Sequence, residues 1–258
     1  MVDDAKASVR SQFARQAAWY TVSAVHRRSA GLNALLRLAA PGPADRAVDV
    51  ATGTGFTAFA LAPHCARVLA VDMTPGMLEE ARKLRKARGL GNVAFCLGDA
   101  ESLPLRSASA DLVTCRHAAH HFPHLPAALA EMARIVRTGG RVVLDDTCAP
   151  EDRVLAALMD DWERRRDPSH VASYPPTRLR EMFERCGLGV TDVVVTHVAL
   201  RFNDWVRRAG VRAEQQASLR AALVGASPAA RAAFRIRLED DGDVSFGWDE
   251  IVILGVKR

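Results

Sequence analysis

Two groups of residues in this chain have the types and spacing to do chemistry. The first is a glycine turn, Val48-Asp49-Val50-Ala51-Thr52-Gly53-Thr54-Gly55, followed downstream by the acids Asp72 and Asp99. The second is the run Arg116-His117-Ala118-Ala119-His120-His121-Phe122, which sets three histidines within five positions. Glycine lets a backbone turn sharply and approach a ligand with no Cβ in the way. Carboxylates beside such a turn accept hydrogen bonds from hydroxyls and amines and attract positive charge. Imidazole titrates near neutrality, so the histidines can exchange protons, ligate a metal or simply pack.

The elements that must position these residues follow from local pattern. Short apolar strands are expected at 47–50, 68–71, 93–97, 112–115 and 141–144, with helices at 56–64, 75–88 and 126–136. Thr74 reads as the N-cap of the second of these helices, with Pro75 at its first position. Gly139-Gly140 breaks the third. Strand–helix alternation at this spacing makes βαβ units, hence a parallel sheet with helices on both faces. Upstream, 8–40 reads as helical, with Leu32, Leu35, Leu36 and Ala39 at helical spacing and a stop at Pro41-Gly42-Pro43. Past residue 150 the pattern loosens: helices are expected at 151–165, 177–186 and 213–235, and closing strands at 190–200 and 250–256.

In an open parallel sheet, ligands bind beyond the carboxyl ends of the strands, where strand order reverses. The glycines alone say little, since Gly53-x-Gly55-x-x-Ala58 also fits the dinucleotide fingerprint. The acids decide. Asp72 ends the second strand, 17 residues after Gly55, where a carboxylate can accept ribose hydroxyls. Asp99 ends the third, where it can take the exocyclic amine of an adenine. Asp49 lies beside the turn and would repel a pyrophosphate, but not a ligand carrying an amino group and a sulfonium. Three carboxylates around one glycine turn suit a cationic adenosyl ligand better than a dinucleotide.

The chain resembles the class I S-adenosylmethionine-dependent methyltransferases, most of all the small-molecule branch similar to the ubiquinone and menaquinone C-methyltransferases. The resemblance is carried by VDVATGTG, VLAVDMTPGML, GDAESLPL with ADLV, and LAEMARIVRTGGRVVL, in the family's order across about residues 46–146. It implies an α/β, Rossmann-like, doubly wound and mostly parallel sheet of seven strands, the last antiparallel. In a single domain spanning 1–258, residues 1–42 would be an N-terminal helical cap, 46–146 the cofactor core, and 147–258 the substrate region and closing strands. It implies S-adenosylmethionine as cofactor and S-adenosylhomocysteine as product. Asp49, Gly53 and Gly55 would line the methionine part, and Asp72 would hold the ribose. Met73 and Ala100 would flank the adenine, and Asp99 would hold its amine. Ala51, Thr52, Met77 and Arg116 complete the expected cofactor set, Met77 as packing beneath the adenosine. Two departures stand out: Ala51 replaces a frequent glycine, and Thr138 replaces the usual proline before Gly139-Gly140.

Methyl transfer is an in-line displacement that needs alignment, exclusion of water and, for many nucleophiles, a base. The loop after the fourth strand faces cofactor and substrate in this fold, so His117, His120 and His121 are the candidate catalytic groups. His117 and His120 are expected toward substrate, and His121 toward the cofactor or core. His117 and His121 are four apart, as helical metal ligands are, but no third ligand is nearby in sequence. Arg116 stands where resembling metal-assisted O-methyltransferases place an aspartate, and Asp145-Asp146 are the nearest further carboxylates. No metal is expected. Tyr20, Ser23 and His26 share one side of an N-terminal helix. Tyr20 and His26, with His170 in the turn Asp167-Pro168-Ser169-His170-Val171, are the expected substrate contacts.

The bulk numbers bound the rest. The 258 residues are 49% apolar and 25% charged, with no run long and apolar enough to span a membrane and no secretory pattern at the start. Five scattered cysteines without a C-x-x-C pair read as reduced thiols of a cytoplasmic protein. The net charge of +5 comes with basic stretches at 82–88 and 164–166, which read as solvated helix faces rather than a nucleic-acid surface. The expectation is an enzyme acting on a nitrogen, oxygen or carbon atom of a small molecule, with no membrane or nucleic-acid partner and a homodimer left open. The alternatives are an RNA or tRNA methyltransferase, an enzyme using the cofactor for other chemistry, a non-catalytic cofactor-binding module, and an NAD(P)-dependent oxidoreductase.

Overall fold

The computed structural model describes Lys6 and residues 30–258. Tyr20, Ser23 and His26 lie outside the described residues.

Five strands form the parallel half of one sheet: β1 (Arg46–Val50), β2 (Arg67–Asp72), β3 (Val93–Leu97), β4 (Ala110–Arg116) and β5 (Val136–Cys148). Beyond them lie β6 (Leu188–Arg201), the two-residue β7 (Arg237–Leu238) and β8 (Val244–Lys257). The order across the sheet is β3-β2-β1-β4-β5-β8-β6, with β7 attached to β8. Strand β8 runs antiparallel to both of its neighbours, so seven strands form the mostly parallel Rossmann-like path and the short β7 makes an eighth. Strand order reverses between β1 and β4, so the carboxyl ends of β1, β2 and β4 open onto the switch point.

The helices are α1 (Ala30–Ala39), α2 (Phe56–Leu61), α3 (Pro75–Ala87), α4 (Leu125–Ile135), α5 (Arg153–Arg166), α6 (Pro176–Arg185), α7 (Phe202–Ala209), α8 (Ala213–Val224) and α9 (Pro228–Ala233). Side chains alternate across a strand, so neighbouring residues feed opposite layers. Val113, Leu144 and Ile251 meet Leu129 and Met132 of α4 and Phe183 of α6. Leu112, Val143 and Val252 meet Leu35 of α1 and Phe59 and Leu61 of α2. All seven residues of β4 are buried, as a central parallel strand covered on both faces requires. A third, aromatic cluster joins Trp162, Trp205 and Trp248 to Phe202, Phe234 and Phe246. No helix among the described residues is long and apolar enough to cross a membrane.

The differences from expectation have local causes. The stretch 213–235 splits because Gly225 ends α8 and Pro228 opens α9, with Ser227 Oγ accepting the Ala230 amide. Helix α7 was not expected, and β8 starts at Val244 rather than at 250. Gly139 and Gly140 lie inside β5 rather than between helix and strand. Thr74 holds the N-cap position of α3 without a side-chain capping bond. Its amide donates to Asp72 Oδ1 at 2.8 Å.

Candidate active site

The carboxyl ends of β1 to β4 open into a cleft. Its floor is the turn after β1, where three residues take left-handed backbone: Ala51 at φ 53°, Gly53 at 56° and Gly55 at 91°. A Cβ on Gly53 would meet nothing within 4 Å, so that glycine serves its backbone angle and faces open space. A Cβ on Gly55 would lie 2.6 Å from the Phe59 ring, so Gly55 lets α2 start close under the turn rather than lining the cleft.

The three acids converge here. Asp72 accepts the Gly53 amide and the Thr74 amide, each at 2.8 Å and each on a different oxygen. Each oxygen therefore keeps a further acceptor site for a ligand hydroxyl. Burial raises the Asp72 carboxyl above its usual value, against these backbone bonds. Asp49 is 1% exposed and accepts the hydroxyls of Thr52 at 2.5 Å and Thr114 at 2.7 Å. Burial pushes its carboxyl up to about 6, with the hydroxyls and Arg116 pulling the other way. Asp99, after β3, accepts Lys6 Nζ at 2.7 Å and the Glu101 amide at 2.9 Å. Ala51, Thr52, Met73, Met77, Ala100 and Arg116 also line the cleft. Among the described residues, its charged lining is four carboxylates (Asp49, Asp72, Asp99, Glu101) against Lys6 and Arg116. A cationic ligand with vicinal hydroxyls and amines fits this lining, whereas a pyrophosphate would meet net negative charge.

The structure separates the three histidines. His117 and His121 line the cleft and His120 does not. His117 follows β4 with φ 49°, an uncommon angle for a residue with a side chain. Its amide donates to Asp145 O at 2.8 Å, and its Nε2 lies 3.0 Å from Glu250 Oε1. His121 is buried with Nδ1 3.0 Å from Ser169 O. Burial, reinforced by nearby His120, holds its pKa well below the usual histidine range. His120 turns to the other side of the sheet, its Nδ1 2.5 Å from Asp146 Oδ1. Burial would lower its pKa, but Asp146 outweighs this and raises it. His170 is also buried away from the cleft, with Nε2 2.8 Å from Asp160 Oδ1 and its ring stacked 5.6 Å from that of His120. Its neighbour Val171 donates its amide to His120 O, so this pair ties the 167–174 segment to the post-β4 loop.

Sequence reasoning missed Glu250. It lies on β8, 3% exposed, and with His117 and Asp145 brings three potential ligand atoms within 4.8 Å of one another. The third acid or histidine that was absent from the local sequence is thus supplied from the far end of the chain. Glu250 faces His117, and Asp145, whose carboxyl burial pushes up to about 7, lies 3.4 Å from Arg116 Nε. Burial would raise the Glu250 carboxyl, but His117 and Arg116 together hold it below its usual value. The detectable signal was a lone acid at a strand position sharing its face with Val252 and Leu254.

Comparison with known proteins agrees with this geometry. The methyltransferase-domain family profile matches residues 48–144. The chain is 34% identical to the uncharacterized methyltransferase YcgJ of Bacillus subtilis, across 95% of this chain and 98% of that one. The crystal structure of YcgJ superposes with a TM-score of 0.85 at 35% identity, covering 88% and 98% of the two chains. The BH2331 structure from Bacillus halodurans C-125 gives 0.86 at 31% identity, covering 89% and 100%. The malonyl-[acyl-carrier protein] O-methyltransferase of Serratia marcescens is 34% identical across 68% of this chain and 66% of its own. With the sheet, the glycine turn and the acid-lined cleft in place, this chain belongs to the class I S-adenosylmethionine-dependent methyltransferases.

Proposed function

We propose that this methyltransferase acts on a nucleophilic nitrogen, oxygen or carbon atom of a small organic molecule. One observation carries the reading: Asp49, Asp72 and Asp99, from the ends of three adjacent strands, face one cleft over the Gly53 turn. The net negative lining among the described residues disfavours a polyanionic acceptor, since nucleic-acid binding depends on basic groups along the phosphate track. Five scattered free cysteines, two of them half-buried, suit a reducing cytoplasmic setting.

Bound S-adenosylmethionine supplies a methyl group made electrophilic by its sulfonium. In this reading Asp72 accepts the ribose hydroxyls and Asp99 the adenine amine, between Met73 and Ala100, with Met77 beneath. Asp49, Thr52 and Arg116 surround the amino-acid end, and the Ala51–Gly55 turn lets the backbone come close. His117 takes the proton that the acceptor loses, and buried His121 keeps that end of the cleft neutral. His120 and His170 act at one remove, holding the 167–174 segment in place.

Calorimetry with S-adenosylmethionine and S-adenosylhomocysteine tests the cofactor half. Both are expected to bind, and Asp72→Ala to weaken both by about tenfold or more, as loss of charge-assisted bonds does. Absence of binding by either at millimolar concentration would overturn it. Methyl-labelled cofactor incubated with cell extract tests the acceptor half. Label is expected in the small-molecule fraction; label confined to nucleic acid would point to the RNA reading instead.

A further inference from the structure

We infer that Lys6 is the positioning residue of the adenine end: it holds the Asp99 carboxylate ready for the base amine and covers the neighbouring Glu101. The inference rests on the methyltransferase reading, in which Asp99 takes that amine, and adds a residue that the cofactor motifs do not contain.

Three observations carry it. First, the Lys6 ammonium bridges two carboxylates of the cleft lining. Its Nζ lies 2.7 Å from Asp99 Oδ2 and 2.6 Å from Glu101 Oε2. Second, the two acids are covered unequally. The Glu101 side chain is 9% exposed and the Asp99 side chain 33%, so with Lys6 in place Asp99 stays open to a ligand and Glu101 does not. Third, backbone amides hold the other oxygen of each acid. Asp99 Oδ1 accepts the Glu101 amide at 2.9 Å, and Glu101 Oε1 accepts the His124 amide, at the start of α4, at 2.7 Å. Asp99 is therefore fixed at both oxygens, and each oxygen keeps a further acceptor site.

The electrostatics favour positioning over competition. Neighbouring carboxylates repel, and a buried one is costly once its partner is removed. Lys6 offsets one of the two negative charges and leaves the other on Asp99, the exposed member, where an amine N–H can reach it. Without Lys6, Glu101 is expected to turn toward water, and its amide is the group that fixes Asp99 Oδ1. The adenine amine is uncharged, so displacing the ammonium from Asp99 would exchange an ion pair for a neutral donor.

The test compares two product forms that differ only in the base. S-adenosylhomocysteine carries the exocyclic amine, and S-inosylhomocysteine carries a carbonyl oxygen in its place. Their amino-acid ends are identical, so a change in the overall charge of the cleft moves both affinities alike. In calorimetry on the full-length protein, wild type is expected to prefer the adenine form by about tenfold or more, the scale of one hydrogen bond to a charged group. In Lys6→Met that preference is expected to fall by about threefold or more, the scale of coupling between touching groups. Adding Glu101→Gln to Lys6→Met removes the second negative charge and keeps an acceptor for the His124 amide. The double variant is expected to recover most of the preference. An unchanged preference in Lys6→Met would overturn the inference. So would tighter binding of S-adenosylhomocysteine by Lys6→Met, which would make Lys6 a competitor for Asp99. A preference lost in Lys6→Met and not recovered in the double variant would also overturn it, since Lys6 would then support the fold rather than the acid pair. Two outcomes in wild type bear on the underlying reading instead. Equal binding of the two forms would remove Asp99 as the amine acceptor, and Lys6 with it; binding of neither would sink the methyltransferase reading.

Discussion

Ala51 sits at φ 53° where resembling enzymes frequently carry glycine. A left-handed backbone angle costs an L-residue about 1–2 kcal/mol. Glycine avoids that cost but loses more freedom on folding, roughly 0.5–1 kcal/mol. Ala51→Gly is therefore expected to stabilise the protein by about 0.5–1 kcal/mol, seen as a higher urea midpoint at unchanged slope; a lower midpoint would mean that the Ala51 methyl does packing work at the turn. His121 makes a second test at this scale. It is held neutral in the fold, chiefly by burial, so below about pH 6.5 the unfolded chain binds a proton that the folded one does not. Stability from this residue is present above that pH and lost as pH falls below it. His120, raised by Asp146, pulls the other way and is present in both proteins compared. His121→Gln cannot take up the proton, so its stability is expected to change less than that of wild type between pH 7 and pH 5. Equal losses in urea melts at the two pH values would show that His121 is not neutral in the fold.

Among the elements, the half built from βαβ units was legible because its strands are short apolar runs, two of them ended by Asp72 and by Gly98-Asp99. Asp72 and Asp99 could be read as strand-end residues from spacing alone. The region after 150 was less legible, for identifiable reasons. Strand β8 mixes polar and apolar residues as GWDE before the apolar IVIL run, so only its second half stood out. Helix α8 has polar and apolar residues spread around it and no clear face, which hid its end at Gly225. Glu250 was invisible as a functional residue because its partner His117 lies 133 residues away, and only the pairings of β4 with β5 and of β5 with β8 bring them together. The Gly139-Gly140 pair was seen but misplaced, and the structure shows what it does inside β5. A Cβ on Gly140 would lie 2.9 Å from both Arg137 O and Asp111 O, backbone atoms that cannot swing aside. Gly140→Ala is expected to destabilise by about 1–3 kcal/mol, as overpacking does. Gly91→Ala, where a Cβ would meet nothing within 4 Å, is the control. Equal melting temperatures for the two variants would contradict the close approach.

For the whole molecule, the question is whether the aromatic cluster behaves as part of the domain or as an appendage to it. Strand β8 settles what to expect. Val244, Phe246 and Trp248 lie in the aromatic cluster, Ile251 and Ile253 in one sheet layer, and Val252 and Leu254 in the other. One continuous strand thus contributes to all three cores, and it pairs along its length with β6 and with β5 as well. Freeing the cluster would pull on both layers, so local unfolding of this region should cost nearly as much as global unfolding. The Trp248 ring packs against Trp162, Trp205, Phe234 and Phe246 with centroids 5.1–6.2 Å away. Removing it as Trp248→Ala is expected to cost about 3–5 kcal/mol, the range for a buried aromatic. Three of the four tryptophans lie in this cluster, so fluorescence reports on it while far-UV circular dichroism reports on the sheet and helices. In wild type the two signals are expected to change at one urea midpoint, and in Trp248→Ala at one lower midpoint. A fluorescence transition that precedes the dichroism transition in wild type would show that the C-terminal cluster opens by itself, and that β8 does not couple the three cores.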